Sequence, residues 1–126
     1  VAAAEALARE LEALEIRRPL VAVIGMLEDK DVGGYIKPFG PLVDQFIAVS
    51  IEAARGADAQ ITAQAVANTT NKPCQIIDNV EDALSVAAII AGNDGRILVT
   101  GSFYVAGPAL KWIEHATVDR AASETR

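Results

Sequence analysis

An uninterrupted apolar run at residues 20–26, LVAVIGM, constrains the fold of this 126-residue chain more than any other feature. Valine and isoleucine are frequent in it and no polar side chain interrupts it, so both of its faces must be covered. A strand buried on both faces is typical of the centre of a parallel sheet that carries helices on each side. The run therefore predicts the central strand of a layered α/β domain.

Helical and strand-like segments alternate along the rest of the chain. Four strands separated by helices predict a Rossmann-like, three-layer domain with a mainly parallel sheet, right-handed crossovers and strand order 3-2-1-4. Ligands in such sheets bind where the order reverses, beyond the carboxyl ends of strands one and four. In the third helix we expect Ile61, Ala65 and Ala67 to face inward. The other predicted strands are 45–50, 75–78 and 96–101, and the predicted helices are 1–15, 31–39, 59–68, 80–91 and 103–114.

Charge and composition exclude several classes of function. The net charge is -6 with no basic stripe, so we expect no nucleic acid partner. No apolar stretch is long enough to cross a membrane and no signal peptide is visible, which favours a cytoplasmic location. Cys74 is the single cysteine and His115 the single histidine, so neither a disulfide nor a zinc cluster is expected.

The segment after the first strand could carry binding chemistry. Lys30 lies between Asp29 and Asp31, and its compact charge suits a carboxylate or a phosphate oxygen. The two aspartates could hold the lysine in place or cap the next helix. The alternative is an ordinary charged helix start, where acidic side chains are favoured by the helix dipole.

The segment after the fourth strand is the second candidate. Gly101 would let a ligand approach the backbone, and Ser102 begins a helix whose free N–H groups could hold an anion. Ser102 could equally be only a helix cap, and Phe103 and Tyr104 are more often packing residues than ligand contacts. Facing each other, the two segments would suit a dicarboxylate or an amino acid. Ser102 has no visible base partner and no glycine-rich phosphate loop is present, so we expect no catalytic residue.

Four short motifs resemble the folylpolyglutamate synthase / dihydrofolate synthase family, within the Mur ligase superfamily. The similarity extends over roughly residues 1–113 and implies the C-terminal domain of such an enzyme. The four motifs are Gly-Met-Leu-x-Asp-Lys-Asp at 25–31, Leu-Val-Asp at 42–44, Arg-Gly-Ala at 55–57 and Thr-Gly-Ser-Phe-Tyr at 100–104.

The resemblance implies an ATP- and Mg²⁺-dependent ligase. Such enzymes phosphorylate a carboxylate of a folate or pterin substrate, and the amino group of L-glutamate then attacks the acyl phosphate. By this resemblance Lys30 and Ser102 would hold the glutamate, and Phe103 or Tyr104 would line its pocket. Asp29, Asp31 and Gly101 would shape the two segments.

The resemblance also has departures. The family carries an Asp-x-x-His-Asn element just before the opening helix, whereas this chain opens at Val1 without it or a capping side chain. We therefore expect a glutamate-binding domain at 1–116, a frayed tail at 117–126 and a missing N-terminal ATP-binding domain, so that the chain folds but does not catalyse. The alternatives are the C-terminal domain of a cell-wall Mur ligase, which the Ser-Phe-Tyr element argues against, and a stand-alone α/β binding or regulatory module.

Overall fold

The computed structural model describes residues 2–13, 18–26, 31–51 and 58–101. The predicted helix 103–114 and the tail 117–126 lie outside these ranges. The described elements are α1 (Ala2–Ala13), β1 (Leu20–Gly25), α2 (Val32–Ile36), a 3₁₀ turn (Gly40–Leu42), β2 (Gln45–Ala48), α3 (Ala59–Thr70), β3 (Cys74–Ile76), α4 (Val80–Ala91) and β4 (Arg96–Gly101).

The four described strands form one parallel sheet in the order β3-β2-β1-β4. This confirms the predicted α/β class and the predicted strand order. All six residues of β1 are buried, because two strands flank it and helices cover both of its faces. The apolar run at 20–26 therefore occupies the centre of the sheet, as its composition predicts.

Each face of the sheet has its own core. Alternate residues of β1 point to opposite sides, so Ala22 and Ile24 pack with α1, α2 and Val66 of α3, whereas Val21 and Val23 pack with α4. The two cores make a three-layer sandwich of helices, sheet and helix. The predicted arrangement of helices on both faces is thus confirmed.

The inner side of α3 differs from the prediction. Its buried residues are Ala59, Thr62 and Val66, whereas Ile61 is 58% exposed and Ala67 is also exposed. The prediction for Ile61 and Ala67 was wrong because it relied on the hydrophobicity of single side chains. The two faces of α3 differ little in hydrophobicity, so this criterion does not identify the buried face. The stripe that packs is spaced i, i+3 and i+7 and includes a threonine.

The amino-terminal edge of the sheet is held by Asp44, just before β2. Its carboxylate accepts hydrogen bonds from the guanidinium of Arg18, including one from Nε at 3.0 Å, and from the Leu20 N–H at 2.7 Å. The hydrogen bond from Arg18 lowers the pKa of Asp44, and the Leu20 N–H acts in the same direction against the opposing effect of burial. This contact fixes the entry of β1 against the entry of β2.

Small residues allow α2 and the 3₁₀ turn to approach α3 closely. Gly40 is buried, and a Cβ atom built on it would lie 2.8 Å from Cγ2 of Thr70 and 3.2 Å from Cγ2 of Ile36. The helix predicted at 31–39 is shorter in the structure and ends at Ile36, before Pro38 and the close contact with α3. The packing of this region thus depends on a glycine at position 40.

Candidate functional site

The ends of β1 and β4 lie side by side at the carboxyl edge of the sheet. Gly25 pairs with Gly101 as the last residues of these neighbouring parallel strands. Gly101 has a φ of 118°, and a Cβ atom there would overlap the carbonyl oxygen of Gly25. The close backbone approach at Gly101, which the sequence suggested for a ligand, is therefore already made by the neighbouring strand.

Asp31 caps α2, the helix that follows β1. Its side chain accepts a hydrogen bond from the Gly34 N–H at 3.0 Å, and its carbonyl oxygen accepts one from the Tyr35 N–H at 3.1 Å. The carboxylate is exposed at the surface. Of the alternatives open for Asp31, the structure shows the helix cap, which orders the point where the segment after β1 ends.

Tyr35 connects α2 to the end of β4. Its hydroxyl oxygen lies 2.5 Å from Oγ1 of Thr100, a buried residue next to Gly101. The Tyr35 ring packs edge-on against the ring of Phe39, with the two centroids 5.4 Å apart. Sequence reasoning missed this pair, because no local pattern relates two hydroxyl groups that are 65 residues apart.

The ends of β2 and β3 are also linked by hydrogen bonds. The Ser50 N–H donates to the carbonyl oxygen of Asp78, and the Ser50 hydroxyl accepts from the Ala59 N–H, both at 3.1 Å. Asp58 caps α3 by accepting from the Gln60 N–H at 2.9 Å. These polar groups at the carboxyl edge thus stabilise helix starts and strand ends.

Five of the predicted site residues lie outside the described ranges, and their roles remain predictions. The described residues nevertheless define where both candidate segments attach. One segment runs from the end of β1 to the capped Asp31, and the other begins after Gly101, beside the end of β1. The five residues are Asp29, Lys30, Ser102, Phe103 and Tyr104.

The acidic side chains of the described ranges are the main candidates for metal ligands. Within these ranges no three His, Cys, Asp or Glu side chains come together as metal ligands. The carboxylates of Asp31 and Asp58 accept backbone N–H groups instead. The described residues therefore do not fit a Mg²⁺ site. Of the described helices, none has the length and apolar character needed to cross a bilayer.

Comparison with known protein families identifies the family to which this domain belongs. Residues 1–103 match the family of the Mur ligase glutamate ligase domain. The chain belongs to this Mur ligase domain family. The match runs from residue 1 to residue 103, so it includes every described element, the segment after β1 and the first two residues of the segment after β4.

Relatives of known structure share this fold. The dihydrofolate synthase/folylpolyglutamate synthase of Escherichia coli is 31% identical over 112 residues, which are 89% of this chain and 25% of the relative. E. coli FolC in complex with DHPP and ADP superposes with a TM-score of 0.80 at 30% identity, over 91% of this chain and 27% of that one. The resemblance to this ligase family is thereby confirmed.

A structure of a further relative contains a metal ion as well as a nucleotide. The bifunctional folylpolyglutamate synthase/dihydrofolate synthase of Yersinia pestis, complexed with AMPPNP and a Mn ion, has a TM-score of 0.75 at 26% identity, over 89% of this chain and 26% of that one. These structures contain nucleotides and, in one case, a divalent metal. Our chain spans about a quarter of the length of the curated relatives that it matches.

Proposed function

We propose that this glutamate ligase domain acts within a longer ATP-dependent ligase that joins L-glutamate to a folate or pterin carboxylate. One observation carries the proposal: the family match covers the segment that follows Gly25 and the first two residues after Gly101, and these two glycines are paired. The two segments start from adjacent strand ends, so groups on both can reach one small ligand. The names of the relatives favour a folate ligase over a cell-wall Mur ligase.

In this proposal residues 1–116 form the glutamate-binding domain, 117–126 are a tail, and the enzyme is cytoplasmic. A separate N-terminal domain binds ATP and Mg²⁺ in this proposal; the structures of the relatives hold ADP, or AMPPNP with a Mn ion. ATP converts the folate or pterin carboxylate into an acyl phosphate, which makes its carbonyl carbon a target for an amine. This chain contributes by binding and orienting the amino acid.

Lys30 and Ser102 hold the carboxylates of glutamate in this proposal, and Phe103 or Tyr104 lines the pocket. A cation and the N–H groups of a helix start provide fixed donors for the two carboxylates of the amino acid. The amino group is thereby held near the acyl phosphate, and positioning of this kind can lower a barrier by about 7–11 kcal/mol. Asp29, Asp31 and Gly101 shape the two segments.

The test uses the complete ligase that contains this domain and measures ADP release against glutamate concentration at saturating ATP and folate. We expect Lys30→Ala to raise KM for glutamate by about 10- to 100-fold, as expected for a lost charge-assisted hydrogen bond, and to change KM for ATP much less. Ser102→Ala should act in the same direction. Lys37→Ala is the matched control, because Lys37 is an exposed lysine at the other end of α2.

Two results would count against the proposal. Equal increases in both KM values for Lys30→Ala would assign this lysine to nucleotide phosphate. Ligation of an amino acid to a cell-wall precursor, with no reaction on folate or dihydropteroate, would assign the domain to the other branch of the Mur ligases. The separate 126-residue chain, mixed with ATP, glutamate and folate, should release no ADP.

A further inference from the structure

The hydroxyl groups of Tyr35 and Thr100 form a polar contact within an otherwise apolar layer. Thr100 is 8% exposed and faces the same side of β4 as Leu98, which packs in the core beneath α2. A buried hydroxyl group without a partner is costly, and the Tyr35 hydroxyl supplies that partner at 2.5 Å. The contact therefore fixes the end of β4 to α2.

Ring packing and a backbone hydrogen bond also hold Tyr35 in place. The ring of Tyr35 meets the fully buried ring of Phe39 edge-on, with an interplanar angle of 78°. The Tyr35 N–H also donates to the carbonyl oxygen of Asp31 in the first turn of α2. Because backbone and ring are both held, the position of the Tyr35 hydroxyl is determined by α2.

Tyr35 thus lies between the attachment points of the two candidate segments. Its backbone belongs to the turn that receives the segment after β1 at Asp31, and its hydroxyl holds the residue just before Gly101. Loss of the hydroxyl would leave the end of β4 paired with β1 but no longer hydrogen-bonded to α2. Groups on the two segments must keep a constant separation to bind one ligand tightly, since small misplacements are costly.

We propose that Tyr35 is a positioning residue that sets the separation of the two glutamate-binding segments through its hydrogen bond with Thr100. The inference rests on the proposed function. Tyr35 acts through Thr100 and need not touch the substrate. Its effect should therefore appear in the use of glutamate and not in the use of the nucleotide, which distinguishes positioning from general stabilisation.

The experiment measures KM for glutamate and for ATP in the complete ligase carrying Tyr35→Phe, Thr100→Val, Thr100→Ser or the Tyr35→Phe/Thr100→Val pair. We expect Tyr35→Phe and Thr100→Val each to raise KM for glutamate by about five- to tenfold, with KM for ATP changed less than about twofold. Thr100→Ser keeps the hydroxyl and should behave as the parent enzyme. The pair should be no worse than either single variant, because both remove the same bond.

Thr70→Val is the matched control for loss of stability. The Thr70 hydroxyl is held in hydrogen bonds at the opposite edge of the sheet, with Val66 and Lys72. It should lower the urea midpoint as Tyr35→Phe does and leave both KM values unchanged. Equal changes in the two KM values for Tyr35→Phe, additive effects in the pair, or an unchanged KM for glutamate would each overturn the inference.

Failure of the inference can be told from failure of the proposed function. If the parent ligase releases ADP in response to glutamate and Lys30→Ala impairs this, but Tyr35→Phe does not, only the positioning role falls. If the parent ligase shows no glutamate-dependent ADP release, the proposed function and the positioning role are both rejected.

Discussion

Gly101 lies so close to Gly25 that a side chain at position 101 would overlap the carbonyl oxygen of Gly25. The overlap involves the backbone of the central strand, which cannot move without disturbing both cores. Gly101 also has a positive φ, a conformation that other residues rarely adopt. The glycine at this position is thus required by the sheet itself, independently of any ligand.

We predict that Gly101→Ala lowers the free energy of unfolding by about 3 kcal/mol, from steric overlap added to backbone strain. Gly92→Ala is the control, because Gly92 also has a positive φ but a Cβ atom there would meet nothing within 4 Å. Gly92→Ala should cost about 1–2 kcal/mol, from backbone strain alone. Urea unfolding of both variants measures the difference. Equal losses in the free energy of unfolding would show that the backbone at Gly25 moves aside without a measurable penalty.

A buried hydroxyl group offers a stabilising substitution. Thr62 is fully buried on α3, and its Oγ1 has no hydrogen-bond partner among the described residues. Thr62→Val keeps the shape and should raise the free energy of unfolding by about 1 kcal/mol, because the cost of burying an unpaired hydroxyl disappears. Thr70→Val on the same helix removes a bonded hydroxyl and should lower it by about 1 kcal/mol. Changes of the same sign in both variants would contradict this account.

The contact between the 3₁₀ turn and α3 leaves no room for one more methyl group. Gly40→Ala places its Cβ against Cγ2 of Thr70, and overpacking of this kind costs about 1–3 kcal/mol. Thr70→Ser removes that methyl group and retains the hydroxyl, so the double variant should recover most of the loss. Thermal unfolding of the single and double variants tests this. If the stability losses of the two single variants simply add in the double variant, the steric conflict of Gly40→Ala is not with Thr70.

Asp44 should make the stability of the domain depend on pH. Asp44→Asn weakens the bonds from Leu20 and Arg18, and we expect a loss of about 1–2 kcal/mol at pH 7, chiefly from the Leu20 N–H. The folded state lowers the pKa of Asp44. The stability difference between the parent and Asp44→Asn should therefore have its full size above the ordinary carboxyl pKa of about 4. It should diminish progressively as the pH falls from there through the lower pKa of the folded state.

The check for Asp44 is urea unfolding of parent and variant between pH 3 and pH 7. The exposed Glu10 on α1 provides the control Glu10→Gln, which makes the same change in charge. If the parent and Asp44→Asn differ by the same free energy of unfolding down to pH 3, a lowered pKa of Asp44 is not the source of the difference.

The strand order could be predicted because it follows from short-range patterns. The run at 20–26 has the composition of a doubly covered strand, and each later strand is separated from the next by a helix of sufficient length for a crossover. The inner face of α3 could not be predicted in the same way. Ile61 is the most apolar side chain in that helix, yet the packing surface selects the stripe that contains Thr62.

The contacts of Tyr35 and Asp44 were invisible in the sequence for a different reason. Both join residues that are distant along the chain, Tyr35 with Thr100 and Asp44 with Arg18, and hydrogen bonds between such side chains leave no periodic signal. Only their geometry in the folded sheet brings them together. The motifs at 25–31 and 100–104, in contrast, follow predicted strands, so the sequence alone indicates the carboxyl edge of the sheet.

The bridge between Asp44 and Arg18 lies at the edge of the sheet opposite Gly101, so it is remote from both proposed glutamate-binding segments. Mutations at that end can accumulate or compensate one another without altering substrate choice. A lineage could therefore adjust the heat tolerance of this domain at one end while its specificity diverges at the other.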